Sequence, residues 1–150
     1  MNLAPDGPHI LLLEDSDDDY DTVREAVRLF GLSGPPARLH RVSNGDACLT
    51  LLRRGAAERP ALLMLDLNTP STDGREALRQ IKADPLLKTI PVAVLTTSAN
   101  PVDVALCYQY GVNAYHVKPM RYPEHLQLLA GLLKYWLVDV LQPTSPGVAP

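Results

Sequence analysis

Residues 62–66 read LLMLD, an unbroken apolar run that stops on a carboxylate. The run is too short for a helix that must bury one face, and it does not alternate. It therefore reads as a strand covered on both sides. Residues 9–14 (HILLLE) read the same way, Val92–Thr96 (VAVLT) and Ala114–Val117 (AYHV) also read as strands, and Arg38–Val42 (RLHRV) is a weaker fifth strand.

Helical patterns separate these runs. Ser16 is placed to cap a helix whose first turn carries Asp17, Asp18 and Asp19 against the helix dipole. Tyr20, Val23, Val27 and Phe30 then recur at helical spacing until GLSGPP (31–36) stops the helix. Residues 45–54 form a second helix with Ala47, Leu51 and Leu52 inward, and Gly74–Ala83 a third with Leu78 and Ile81 inward. Asp84-Pro85 ends the third, because the residue before proline is pushed out of the α region. Residues 102–110 and 122–141 complete the set. Strand–helix alternation of this kind makes a parallel sheet with helices on both faces. Residues 1–8 form a loose tail, 9–141 one domain, and 142–150 (QPTSPGVAP) a proline-rich tail expected to be disordered.

In such sheets the site lies beyond the carboxyl ends of the strands. Glu14-Asp15, Asp66, Thr96-Thr97 and Lys118-Pro119 fall there. One polar strand end is ordinary, but three carboxylates, a hydroxyl and an ammonium on one rim are hard to obtain by chance. The carboxylates would raise one another's pKa unless a cation offset them. Mg²⁺ suits this set, since it takes one or two carboxylates directly and prefers to bridge a phosphate. Lys118 and the Thr96 hydroxyl can each meet a phosphoryl oxygen. Together these are the parts of phosphoryl transfer: an oxygen nucleophile, a metal and positioned donors.

LLLED, LLMLDLNTPSTDG, PVAVLTTS and AYHVKP, spread over residues 9–141, resemble the receiver domains of response regulators. The resemblance implies a five-stranded, doubly wound parallel sheet of flavodoxin-like order 2-1-3-4-5 with five helices. By that similarity Asp66 is the phosphoacceptor, Asp15 a direct Mg²⁺ ligand, Glu14 a partner acting through water, and the Asn68 carbonyl a further ligand. Thr96 would bond the phosphoryl group and Lys118 would pair with it. Pro70 and Gly74 would shape the loop after the nucleophile, and Lys118-Pro119 would be a cis peptide. Tyr115 matches an aromatic switch whose ring swings inward with the threonine. Asn68 and Ser98 stand where the approach of the hydrolytic water is tuned. Neither is suited to act as a base, so slow self-dephosphorylation is expected.

DLNTPSTDGREAL, IKADPLLKTIPVAVLTTS, GVNAYHV and KYWLVDVLQP are similar to the small response regulators that serve bacterial phytochrome histidine kinases. That similarity implies a phosphohistidine donor on a light-regulated sensor kinase and a homodimer. Docking to the kinase would use the first helix (Val23, Val27) and residues 120–122. The last helix carries more apolar residues than one sheet-facing stripe requires. Leu129, Leu133, Trp136, Leu137 and Val140 form one stripe, expected at the dimer interface.

Other classes fit less well. A dehalogenase-type phosphatase would want an acid two residues after its nucleophile, where Asn68 stands. A pseudo-receiver, or a phosphotransfer intermediate acting as a protein-binding module, remains the alternative; loss of Asp66, Asp15 or Lys118 would mark a pseudo-receiver, and all are present. A net charge of -3 with no basic stripe argues against direct nucleic-acid binding. Cys48 and Cys107 lack metal-ligand spacing and read as buried free thiols. No secretion signal or membrane span is apparent, so the expected location is cytoplasmic, with a signalling switch and not a metabolic enzyme as the expected role.

Overall fold

A computed structural model describes residues 7–34, 36–54, 59–69 and 73–143. In chain order the elements are β1 (His9–Leu13), α1 (Asp17–Phe30), β2 (Arg38–Val42), α2 (Gly45–Arg53), β3 (Leu62–Leu65), α3 (Gly74–Ala83), β4 (Val92–Thr96), α4 (Pro101–Tyr110), β5 (Ala114–Val117) and α5 (Tyr122–Lys134). A π-helical turn, Tyr135–Asp139, extends α5. The strands form one five-stranded parallel sheet in the order β2-β1-β3-β4-β5, as the resemblance implied.

Continuous apolar strands are what this architecture needs. Leu11, Leu13, Leu63, Leu65 and Val94 point to one face, where they pack with Cys48, Leu49, Leu78, Ile81 and Cys107. Ile10, Leu12, Leu62, Met64, Ala93 and Leu95 point to the other, against Val23, Val27, Leu129 and Leu133. Both cysteines are buried and free.

Local chemistry sets the helix starts. The side chains of Ser16, Asn44, Asp73 and Asn100 each accept a backbone N–H in the first turn of α1, α2, α3 and α4. Gly111, at φ 102°, ends α4 in the left-handed conformation that glycine adopts without strain.

Several expectations change. Ala47 is exposed, and α2 buries Cys48, Leu49 and Leu52 instead, a rotation of the helix that hydrophobic spacing alone left ambiguous. Val23 and Val27 are core residues at 1% and 8% exposure, so they are not available for docking. Leu129 and Leu133, expected at a dimer interface, are both fully buried beneath the chain's own sheet face. Trp136 and Leu137 pack partly against the same core, and Val140 is half-buried. The exposed apolar side chains of this region are Tyr135, Val138 and Leu141.

The last helix also stops earlier than 141. Its α-helical hydrogen bonding ends at Lys134, and the backbone is extended at Val140. Gln142 Nε2 then donates to Ala61 O and Trp136 O, both at 2.8 Å, tying residue 142 back beside β3. Before β1, Arg38 N donates to Pro8 O at 2.8 Å, so Pro8 already pairs with β2. The remaining expectations for the two tails, 1–6 and 144–150, lie outside the described residues, as does Pro70. Among the described residues no helix is long and apolar enough to cross a membrane.

Candidate functional site

The ladder continues one rung past the regular strands, and that rung aligns the rim. Glu14 N donates to Val42 O at 3.0 Å, Asp66 N to Leu13 O at 3.0 Å, and Lys118 N to Thr96 O at 2.7 Å. Three backbones are thus pinned where their side chains converge. Glu14 and Asp66 are buried, Asp15 is exposed, and one carboxylate oxygen from each lies within 4.8 Å of the others. Lys118, at 8% exposure, reaches across from β5. Its Nζ donates to Glu14 Oε1 at 2.6 Å, Asp66 Oδ2 at 2.9 Å and Asp19 Oδ2 at 2.6 Å.

Three carboxylates therefore share a single ammonium, and the exposed Asp15 adds a fourth negative charge beside Glu14 and Asp66. Burial pushes Glu14 up to about 7 against the pull of Lys118. Burial also pushes Asp66 upward, but the Lys118 ammonium and the Asn68 N–H outweigh it and hold Asp66 below the usual carboxylate range. For Lys118, burial works against the charge, but bonds to Asp19, Glu14 and Asp66 win and raise its pKa. The site thus carries surplus negative charge in a partly desolvated crevice. Oxygen donors from Glu14, Asp15 and Asp66 fit a hard divalent cation, which takes oxygen ligands and leaves room for water.

The other expected residues surround this centre. Asn68 N donates to Asp66 Oδ1 at 3.1 Å, and its side-chain amide lies 3.4 Å from Thr96 Oγ1. Thr96 is fully buried. Gly74 lies so close under the acceptor strand that a Cβ there would sit 2.2 Å from Asp66 O. Tyr115 is half-buried, packs against the α2–α4 core, and donates its hydroxyl to Ser98 O at 2.7 Å. Its ring is thus turned in. The Ser98 hydroxyl is itself committed to Asp103 Oδ2 at 2.6 Å. Lys118-Pro119 is trans, not cis; a trans bond suffices here because the pinned Lys118 backbone already aims the ammonium at three carboxylates.

Three participants escaped the sequence reading. Asp19 was read only as a dipole partner, although it stands in the first turn of α1, a few residues after the Glu14-Asp15 strand end. Arg75 and Asp103 form a two-pronged pair across 28 residues of sequence, at 2.8 and 3.0 Å, and no local pattern signals it.

Residues 10–130 match the family model described as the response regulator receiver domain. The chain is 37% identical over 140 residues to the response regulator Rcp1 of Synechocystis sp., covering 91% of this chain and 93% of that protein. It superposes with a TM-score of 0.87 on the phosphorylated cyanobacterial phytochrome response regulator RcpA, at 37% identity, covering 92% of this chain and 99% of the other. Against the Mn²⁺-bound form of Rcp1 the TM-score is 0.83 at 37% identity, with 91% and 99% covered.

Proposed function

Because this chain belongs to the response regulator receiver domain family, we propose that it is a phosphorylation switch in which Asp66 accepts a phosphoryl group from a phosphohistidine. The observation that carries the proposal is the buried Lys118 ammonium bonded at once to Glu14 on one side and Asp66 on the other. An Asp66 oxygen attacks phosphorus, the P–N bond to the donor imidazole breaks, and the leaving nitrogen takes a proton. The product is an acyl phosphate on Asp66. Lys118 is within reach to exchange its Asp66 contact for a phosphoryl oxygen, and Thr96 supplies a hydroxyl on the neighbouring strand. Glu14, Asp15 and Asp66, with the Asn68 carbonyl, would hold Mg²⁺, which neutralises charge on the phosphoryl oxygens when bound.

The donor that fits this reading is a sensor histidine kinase of the bacteriophytochrome type. Support comes from the likeness to Rcp1 and to a phytochrome response regulator, both across nearly the full length of each chain. The switch catalyses its own phosphorylation and its own slow dephosphorylation, with Asn68 and Ser98 flanking the water's approach, and works in the cytoplasm without direct nucleic-acid contact. Thr96 and Tyr115 carry the signal outward. The receiving surface is a homodimer interface along the end of α5, redrawn from the expected stripe to Tyr135, Val138 and Leu141 together with half-buried Trp136, Leu137 and Val140.

Incubation with acetyl phosphate and Mg²⁺ should add the mass of one phosphoryl group, and Asp66→Asn should abolish the gain. No gain with any donor would favour a binding module, and turnover of a phosphoester would favour a hydrolase. A phosphoaspartate half-life of seconds would contradict slow self-dephosphorylation.

A further inference from the structure

One chain of hydrogen bonds leaves the acceptor loop and returns to the switch tyrosine. Arg75, in the first turn of α3, donates from Nη1 to Leu67 O at 3.4 Å, directly after Asp66. Its Nε and Nη2 grip the Asp103 carboxylate of α4 at 2.8 and 3.0 Å. Asp103 Oδ2 also accepts the Ser98 hydroxyl at 2.6 Å, and the Ser98 carbonyl accepts the Tyr115 hydroxyl at 2.7 Å. Ser98 Oγ in turn accepts Asn100 N at 3.3 Å.

The pair at the centre is not an ordinary surface ion pair. A forked guanidinium–carboxylate contact adds geometric definition as well as energy, and the two side chains are only 28% and 16% exposed. Arg75 and then Ser98 hold the Asp103 carboxyl down at about 2, so the pair stays charged through the neutral range. Ser98 has one hydroxyl proton, and it is spent on Asp103. The residue standing at the water's approach is therefore fixed in place by its side chain.

We propose that Arg75, Asp103 and Ser98 form a positioning clamp that locks the loop after β4 to the acceptor loop, prolonging the life of a phosphoryl group on Asp66 and presenting the carbonyl on which Tyr115 docks. None of the three touches the reacting atoms; they act through the loop they hold. The proposal rests on Asp66 being the phosphoacceptor. Opening the clamp loosens the loop, which admits water and shortens the phosphorylated state.

The test uses the full chain, phosphorylated with acetyl phosphate and Mg²⁺ and then followed by intact mass after donor removal. Arg75→Ala and Asp103→Ala should each speed phosphoryl loss by roughly threefold or more, and the double variant should be no faster than Asp103→Ala, as expected of residues acting as one unit. Ser98→Ala, a change small enough to preserve folding, should show the same gain, and Ser98→Thr, which keeps the hydroxyl, should restore the slow rate. A purely structural weakening would not show this non-additivity or this rescue. Loss rates equal to wild type in Ser98→Ala and Asp103→Ala, or additive effects in the double variant, would overturn the clamp alone. A wild type that never gains the phosphoryl mass would overturn the reading of Asp66, and the clamp with it.

Discussion

Lys118 Nζ lies 2.6 Å from Asp19 Oδ2, so the ammonium of β5 is anchored to the first turn of α1 as well as to the acidic rim. Glu14 and Asp66 have other work once a cation or a phosphoryl group enters; Asp19 does not, and it is the contact that can persist. Asp19→Asn, which preserves size, should therefore slow phosphorylation by acetyl phosphate by about tenfold, equivalent to about 1.4 kcal/mol of barrier. Lys118→Ala should cost more, about a hundredfold. An Asp19→Asn rate equal to wild type would show that α1 does not orient the lysine.

Divalent metal should stabilise the fold, because it binds only where three carboxylates are assembled. Mg²⁺ at about 100 times its dissociation constant should raise the unfolding free energy by about 2.7 kcal/mol, and EDTA should remove the gain. Asp15→Asn should leave metal-free stability unchanged or higher, since a like charge is lost, while suppressing the metal-dependent rise in melting temperature. A shift that survives in Asp15→Asn would move the cation away from the cluster of Glu14, Asp15 and Asp66.

Gly74 is required for close approach. A Cβ at this position would meet Asp66 O at 2.2 Å and Leu67 Cα at 2.7 Å, both backbone atoms of the acceptor loop. Gly74→Ala should destabilise the protein by about 3 kcal/mol, seen as an earlier denaturant midpoint, and reduce phosphorylation by displacing Asp66. Neither effect would appear if the loop yields freely.

Lys82 closes the opposite end of the sheet. Its Nζ donates to Lys88 O at 2.9 Å, Ile90 O at 2.8 Å and Asn113 Oδ1 at 2.9 Å, joining α3 to the entries of β4 and β5. Lys82→Met keeps the apolar stem but removes all three bonds, which should cost about 2 kcal/mol without changing the phosphorylation rate of the folded protein.

The corrected end of α5 separates core from contact surface. Leu133 is fully buried, so Leu133→Ala should cost about 3 kcal/mol of stability in a urea melt. Val138 is 61% exposed, so Val138→Asp should change monomer stability by no more than about 0.5 kcal/mol. By light scattering, Val138→Asp should lower the mass toward that of one chain; an unchanged mass would remove the end of α5 from the interface.

What the sequence determined by itself was whatever short-range chemistry expresses. Doubly covered strands must be apolar throughout, so 62–66 and its counterparts could be read directly, and their polar ends placed Glu14, Asp15, Asp66, Thr96 and Lys118 on one rim. The Ser16 cap and Asp84-Pro85 marked helix limits for the same local reason. The tertiary structure decided everything that depends on how elements cross. The last helix carries apolar residues on several sides, and only its seat on the sheet shows that Leu129 and Leu133 are core while Tyr135 and Val138 face outward. Asp19 joined Lys118 across 99 residues, and Arg75 met Asp103 across 28, because hydrogen bonds are satisfied by proximity in space. The acidic rim could be read in the sequence; the contacts that orient its lysine and hold its loop could not.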